Sequence, residues 1–341
     1  MKLPISMEHP LMSVLHHAYP YAILSAYEDA QAWISENYIH ISVLEPQQVN
    51  QASVYMGYAD GYTYINEGRA NAILTSNAAD TFLLSKHDIL DLLIYNIGHS
   101  NYVVLFVDEF YLPSCRFYQT NHYLHEQLLY GYDNEKNILY GLGINNAGVF
   151  SELSHEYKDM AEAYHKGLLC KIHGKIEWAE QNRLICMKPS EKLDQFKYLS
   201  EVYESKISQY LSGTLSERDR FYSPIFAPGT LHTGLSYTHY VFSHIWDKDF
   251  GLFRHIHHLH EHKGLMERAL CYWEKNKLIE SNKLSAKYKD EVCNPMSIVR
   301  NYLLKQMQIQ SNHDEQTLIT VKNRLESVLE SEVAILSDVC G

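Results

Sequence analysis

Three neighbouring stretches decide the fold: NYVVLFVDEFYL (Asn101–Leu112), HEQLLYGYD (His125–Asp133) and NILYGLG (Asn137–Gly143). Each is rich in Val, Leu, Phe and Tyr, side chains that suit a pleated, half-buried surface, and each is bounded by turn residues. The last two are joined through Asp133, Asn134, Glu135 and Lys136, a hairpin-length loop. Residues 102–143 therefore predict three strands of an antiparallel sheet.

Upstream the period changes. Ser25 is followed three residues later by Glu28, a capping-box spacing, and then by Ala30, Trp33, Ile34 and Tyr38 at helical intervals. A helix is expected to start near Ser25. A second is expected over Ser85–Ile97, with Ser85 capping, Asp88 three residues on, Ile89, Leu92, Leu93 and Ile97 as its apolar stripe, and Gly98 as its stop. These helices in front of a sheet predict an α+β domain over residues 1–150. Beyond Phe150 long charged amphipathic stretches take over: 153–169, 190–211, 237–245, 252–277, 296–310 and 315–339. Residues 151–341 are expected to form a mainly helical domain, with a hairpin over Ile172–Met187 and an irregular connection around Pro224–Pro228.

The chain has 341 residues, 46% hydrophobic and 21% charged, the proportions of a globular protein of about two domains. Its net charge of −12 opposes a nucleic-acid backbone or an anionic membrane surface, so neither is an expected partner. Twenty His and 27 Tyr are the unusual counts, and they predict buried, hydrogen-bonded aromatics. Six Cys are scattered without a metal-type or redox-type spacing, which predicts reduced thiols. MKLPISMEHP lacks the apolar stretch of a signal peptide, and Val103–Val107 is far too short to cross a bilayer. A cytoplasmic location is expected.

VDEFYLP (Val107–Pro113) and HYLHEQLLYGYDNEKNILYGLG (His122–Gly143) together resemble the core of the butirosin-biosynthesis-type acyltransferases. The amino-terminal domain of that family has the papain-like fold of the bacteriocin-processing cysteine peptidases. The similarity lies in a His, an aromatic or apolar strand, and then Gly-Tyr-Asp; His125 stands six residues before Gly131, the spacing of the family's catalytic His. RHIHHLHEHKGLMERALCYW (Arg254–Trp273) is similar to a helix of the all-helical extension of such proteins. The resemblance implies transfer of an acyl group from a carrier-protein thioester to an amine in biosynthesis of the nonribosomal-peptide type. The partners it implies are an acyl or peptidyl carrier protein and an amine acceptor, with a homodimer left open. No metal or soluble cofactor is implied, because the substrate is presented on phosphopantetheine.

That chemistry requires a nucleophile, a base and donors for the oxyanion. His125 fits the base. The nucleophile belongs at the amino terminus of the first long helix, where unpaired amides lower a thiol's pKa, yet no Cys precedes Cys115. Three readings follow: Ser25 acts in a Ser-His pair, Ala30 occupies the place of a replaced Cys, or the chemistry is lost and the chain is a binding or scaffold protein of an assembly line. The family's orienting acid is also missing, since its place holds Gly141, Leu142 and Gly143; Asn145 is a substitute that would orient an imidazole as in Cys-His-Asn sites.

Other residues carry two readings each. Of Asp108 and Glu109, which end an apolar strand, alternation lets only one share the face of His125, and Asp108 is the candidate; the plainer account is a solvated strand end. His122 reads as a loop residue. His255, His258 and His262 share one helical face, which invites a metal with Asp247 or Asp249, whereas a core stripe of Leu252, Ile256, Leu259 and Met266 makes those imidazoles merely peripheral. Glu261 and Lys263 match a family-like Glu-His-Lys triplet that would line a cleft or an oligomer interface. Cys115 has no helix to activate it, and Lys166, Lys171 and Lys175 are the basic patch that an acidic carrier would need.

Overall fold

The computed structural model describes residues 1–46, 55–61, 74–80, 88–172, 183–191, 193, 200–216, 229–247, 250–279, 283–309 and 315–340. In chain order the elements are α1 (Leu15–Leu24), a 3-10 turn (Glu28–Ala30), α2 (Gln31–Glu36), β1 (Ile41–Pro46), β2 (Tyr55–Tyr58), β3 (Leu74–Asp80), α3 (Ile89–Gly98) and β4 (Tyr102–Asp108). A second 3-10 turn (Glu109–Tyr111) leads to β5 (Leu124–Asp133), β6 (Ile138–Ile144), β7 (Phe150–Glu156), α4 (Tyr157–Ile172) and β8 (Arg183–Pro189). The remainder is α5 (Ser200–Ser212), β9 (Gly229–Thr233), α6 (Leu235–His244), α7 (Leu252–Lys275), α8 (Leu284–Tyr288), a π turn (Lys289–Cys293), α9 (Asn294–Ile309) and α10 (Glu315–Ser337). The protein is a mixed α+β structure with antiparallel sheets.

It divides into two compact units, and both are discontinuous in sequence. The first comprises Met1–Met7, Ala18–Glu28 and Tyr64–Leu193; the second comprises Glu8–His17, Asp29–Thr63 and Asp194–Gly341. This division differs from the expected one at residue 150. β7 and β8 lie beyond that point yet are integral to the first unit's sheet, and the first 63 residues contribute to both units.

The first unit is organised by a six-stranded sheet of order β3-β8-β4-β5-β6-β7, antiparallel throughout. β4, β5 and β6 are the three strands anticipated from their composition. Tyr102–Leu105 and Val107 are buried, so both faces of β4 are covered and its residues do not alternate. α4 packs on β4, and Gly167 lets the helix come close: a Cβ there would stand 3.2 Å from the Asp108 amide. α3 starts one residue after Asp88, whose carboxylate accepts from the Leu90 amide as the N-cap, the place expected of Ser85, which lies outside the described residues. Most of the expected Ile172–Met187 hairpin also lies outside them, as does Pro224–Pro228, and Arg183–Pro189 is a strand.

Around Ser25 the structure differs from expectation. The helix ends at Leu24, and the Ser25 amide donates to the Tyr21 carbonyl in its last turn. The stretch LHHAYPYAIL hides this helix because Pro20 and two His break its apolar pattern.

The second unit holds a three-stranded antiparallel sheet of order β2-β1-β9 and the long helix α7. α7 buries its apolar stripe, as expected, but also His255, His258, Glu261, His262 and Lys263. These polar groups find partners inside the unit. Tyr58 sits among the rings of His17, Tyr38 and His258 at 5.5, 5.5 and 5.1 Å, and Tyr210 stacks on His262 at 5.2 Å. Lys263 Nζ lies 2.8 and 2.7 Å from the two Glu332 oxygens and donates to the Tyr210 hydroxyl at 2.9 Å; the Tyr210 and Tyr288 hydroxyls also donate to Glu332. The expected place of Glu261 and Lys263 on wet or interfacial surface is therefore corrected: both are buried.

A buried carboxylate that loses its cation is left uncompensated in low dielectric. Lys263→Met should destabilise the protein by ~3–5 kcal/mol, with Glu332→Gln on top recovering part of the loss, as read from urea unfolding midpoints.

Candidate active site

The β4–β5 register sets Val107 opposite His125 and Asp108 opposite Leu124. Beyond Asp108 the chain tightens into its 3-10 turn. Asp108 Oδ1 accepts from the Phe110 and Tyr123 amides, both at 3.1 Å, and the Glu109 amide donates to the Tyr123 carbonyl at 2.9 Å. This turn sends the two consecutive carboxylates to different imidazoles. Asp108 Oδ2 lies 2.7 Å from His122 Nδ1, on an imidazole that is largely exposed and stacked on Phe110 at 4.3 Å. Glu109 Oε1 lies 2.7 Å from His125 Nδ1. The expectation that Asp108 serves His125 is thus corrected, since Asp108 is spent on the turn and on His122.

Glu109 is fully buried, whereas the His125 side chain retains 17% exposure. A carboxylate accepts only, so Nδ1 carries the proton and Nε2 is the nitrogen left for chemistry, 3.8 Å from Glu126 Oε2. Burial pulls the His125 pKa down, but the Glu126 charge and the bond and charge of Glu109 outweigh it, and the net shift is upward.

Beneath this pair lies a polar network over β6. Register places Gln127, Gly141, Gly143 and His155 on one sheet face. Gln127 Nε2 reaches Glu109 Oε1 at 3.4 Å and Cys115 Sγ at 3.7 Å, and a Cβ on Gly143 would stand 2.3 Å from Gln127 Oε1. His155 Nδ1 lies 3.1 Å from Ser114 Oγ, and burial lowers its pKa to about 4. Gly143 therefore clears space for Gln127, while a Cβ on Gly141 would stand 2.8 Å from the Leu128 carbonyl oxygen. Tyr19, from α1, donates its hydroxyl to the Glu126 carbonyl at 2.9 Å and braces the same strand.

The remaining expected residues fall elsewhere. Ser25 stands at the carboxyl end of α1, where the helix presents carbonyls and a partial negative charge, the reverse of what activates a nucleophile. Ala30 is wholly buried and precedes the six-residue α2 without capping it; it belongs to the second unit and His125 to the first. Asn145 closes the β6–β7 turn, its Oδ1 accepting from the Ala147 and Val149 amides at 3.0 Å each, and so does not orient His125. Cys115 is buried, and burial with the Glu109 charge pushes its thiol pKa up, away from reactivity. Cys115, Cys186, Cys271, Cys293 and Cys340 are free thiols. Lys166 is exposed on α4, while the side chains of Lys171 and Lys175 lie outside the described residues, as does Asp249.

His255, His258 and His262 are directed to separate partners: the Tyr237 hydroxyl at 2.8 Å, the Gly57 carbonyl at 3.3 Å and the Ile39 carbonyl at 2.8 Å. Among the described residues no group of three or more His, Cys, Asp or Glu is arranged to hold a metal ion. Nor is any described helix long and apolar enough to cross a membrane.

No protein-family model matches the chain, and no curated protein matches its sequence. The site is accordingly read from its own geometry, in which Glu109 is the residue that composition and spacing had passed over. Its signal was the end of the apolar run at Asp108, where a 3-10 turn (Glu109–Tyr111) carries the second carboxylate back toward β5.

Glu126→Gln and Glu109→Gln should each lower the His125 pKa, measured by NMR titration of the imidazole. The sign for stability follows from a raised folded value. The pair stabilises the fold fully below the unfolded pKa of about 6.5, and the contribution is lost as pH rises through the folded value.

Proposed function

We propose that the protein is an acyltransferase or amide synthase in which His125, oriented by Glu109, removes the proton from an acceptor amine attacking a carrier-bound thioester. The observation that supports this most is the His125–Glu109 pair, a partly exposed imidazole locked through Nδ1 onto a fully buried carboxylate. The amine nitrogen bonds to the acyl carbon, the carbon–sulfur bond breaks, and His125 Nε2 carries the proton from the amine to the departing thiolate. Direct transfer needs no acyl-enzyme, which agrees with a Cys115 thiol held protonated and with Ser25 at the wrong end of its helix.

The substrate class rests on the resemblance of 107–113 and 122–143 to the butirosin-type acyltransferases, and so does a papain-like identity for the first unit. The donor in this reading is an acyl or peptidyl group on the phosphopantetheine of a carrier protein, in natural-product biosynthesis in the cytoplasm. The alternative is a non-catalytic relative that binds within such an assembly line, and the lack of an activated thiol near His125 among the described residues favours it.

Incubation with acyl-loaded carrier proteins and a panel of amines, followed by mass spectrometry, separates the two. Amide formation that falls ~100-fold or more in His125→Ala, and less in Glu109→Gln, is expected for general-base catalysis. Carrier binding without amide, unchanged by His125→Ala, would leave the scaffold reading in its place.

A further inference from the structure

His125 has a carboxylate at each nitrogen of its ring. Glu109 Oε1 holds Nδ1 at 2.7 Å, and Glu126 Oε2, from the next residue of β5, lies 3.8 Å from Nε2. The two acids differ in access. Glu109 is sealed in, whereas the side chains of Glu126 and His125 keep 14% and 17% of their surface exposed. Among the described residues His125 is the one ion-pair partner of Glu109. The second oxygen of that acid, Oε2, is buried and accepts from no described donor, and the same holds for Oε1 of the neighbouring Gln127. Acceptors are therefore in surplus beneath the ring. Both acids pull the imidazole toward its charged form, which is the direction of its pKa. Yet a base must be neutral before it takes a proton, and in that state the two carboxylates lose the charge that offsets them. A cation placed at Nε2 restores it.

We propose that the acceptor binds here as a primary alkylammonium, donating one N–H to Glu126 Oε2 and another to His125 Nε2. An ammonium carries donors only, so it matches a site of acceptors; a neutral amide of equal size brings an oxygen that the carboxylate repels. On the acyl-transfer reading of His125, on which this assignment rests, the ammonium N–H bond breaks as Nε2–H forms, and an uncharged amine is left beside the thioester. Its nitrogen bonds to the acyl carbon, the carbon–sulfur bond breaks, and the thiolate takes the proton from Nε2. The surplus proton on nitrogen then passes through His125 to solvent. Glu126 and Tyr123 on β5 and Glu109 on the turn after β4 face the imidazole, while Tyr19 of α1 and Cys115 act on Glu109 and are kept uncharged by burial.

Propylammonium chloride tests the binding on the full-length protein, with the His125 imidazole followed by NMR and assigned by its loss in His125→Ala. The salt is added up to ~0.1 M against potassium chloride at matched ionic strength, because ions screen the carboxylates. Propylammonium should shift the imidazole signals saturably and lower the His125 pKa, since cation and proton compete for the same charges. Binding should tighten as pH rises through the His125 pKa and weaken ~10-fold or more in Glu126→Gln, with partial recovery in Glu126→Asp. Propionamide in place of the amine should leave the signals unmoved, and this arm uses the unaltered protein, so it decides even where Glu126→Gln unfolds. No saturable shift, an equal shift with propionamide, or binding undiminished in a folded Glu126→Gln overturns the proposal. The acyl-transfer reading falls separately. Propylammonium that shifts His125 where no carrier-bound acyl group becomes an amide keeps the ammonium site and removes the reaction; amide formation whose amine KM is unchanged in Glu126→Gln keeps the reaction and removes the site.

Discussion

The end of β4 is the constraint on which the first unit's candidate site depends. Asp108 and Glu109 are consecutive carboxylates, and a strand that simply continued would send them to opposite faces of the sheet. The 3-10 turn replaces that alternation, because Asp108 is used up satisfying the Phe110 and Tyr123 amides. Glu109 is then delivered, wholly buried, to a histidine on the neighbouring strand. A buried carboxylate is costly unless it is bonded, and here the bond that offsets the cost also sets the tautomer of His125. The satisfaction of Glu109 and the tautomer of His125 rest on the same 2.7 Å contact.

The glycines of β6 belong to the same device. Gln127 reaches Glu109 with Nε2 at 3.4 Å while its amide oxygen lies over β6, where a side chain at Gly143 would occupy its space. At Gly141 the close neighbour is backbone, since a Cβ would stand 2.8 Å from the Leu128 carbonyl oxygen. In the resemblance to the acyltransferases these positions stood out as an absent acid. Physically they are places where a Cβ would strike the Gln127 amide or the Leu128 carbonyl, and Glu109 supplies the orienting charge from another direction.

Much of the fold was legible. β4, β5 and β6 were marked by β-branched and aromatic runs with turn residues between them, and α3 by its apolar stripe, although its cap is Asp88 where Ser85 was expected. The apolar stripe of α7 was equally clear. What escaped were features set by tertiary placement. α1 carries Pro20 and two histidines inside its apolar run, so its periodicity is blurred, and Ser25 looked like a beginning when it is an end. The buried polar residues of α7 looked like a wet face, because nothing local announces that Glu332 will meet Lys263 across 69 residues or that carbonyls of Ile39 and Gly57 will meet His262 and His258. The choice between Asp108 and Glu109 failed for a related reason: alternation holds inside a strand, and the strand stops between them.

Twenty histidines make their number useless as a guide to function, but their electrostatics sort them. His258 and His255 are pushed down to about 3 and about 4, chiefly by burial, and pair with a carbonyl and a hydroxyl, so they remain neutral hydrogen-bonding elements of a core. His125 is less buried than they are but still desolvated, yet its pKa moves up, because two carboxylates oppose the desolvation. A structural imidazole gains most by never charging, whereas one that must take and release a proton needs a counter-charge that makes both states accessible. By that criterion, and not by its place in a motif, His125 is set apart from the histidines of α7.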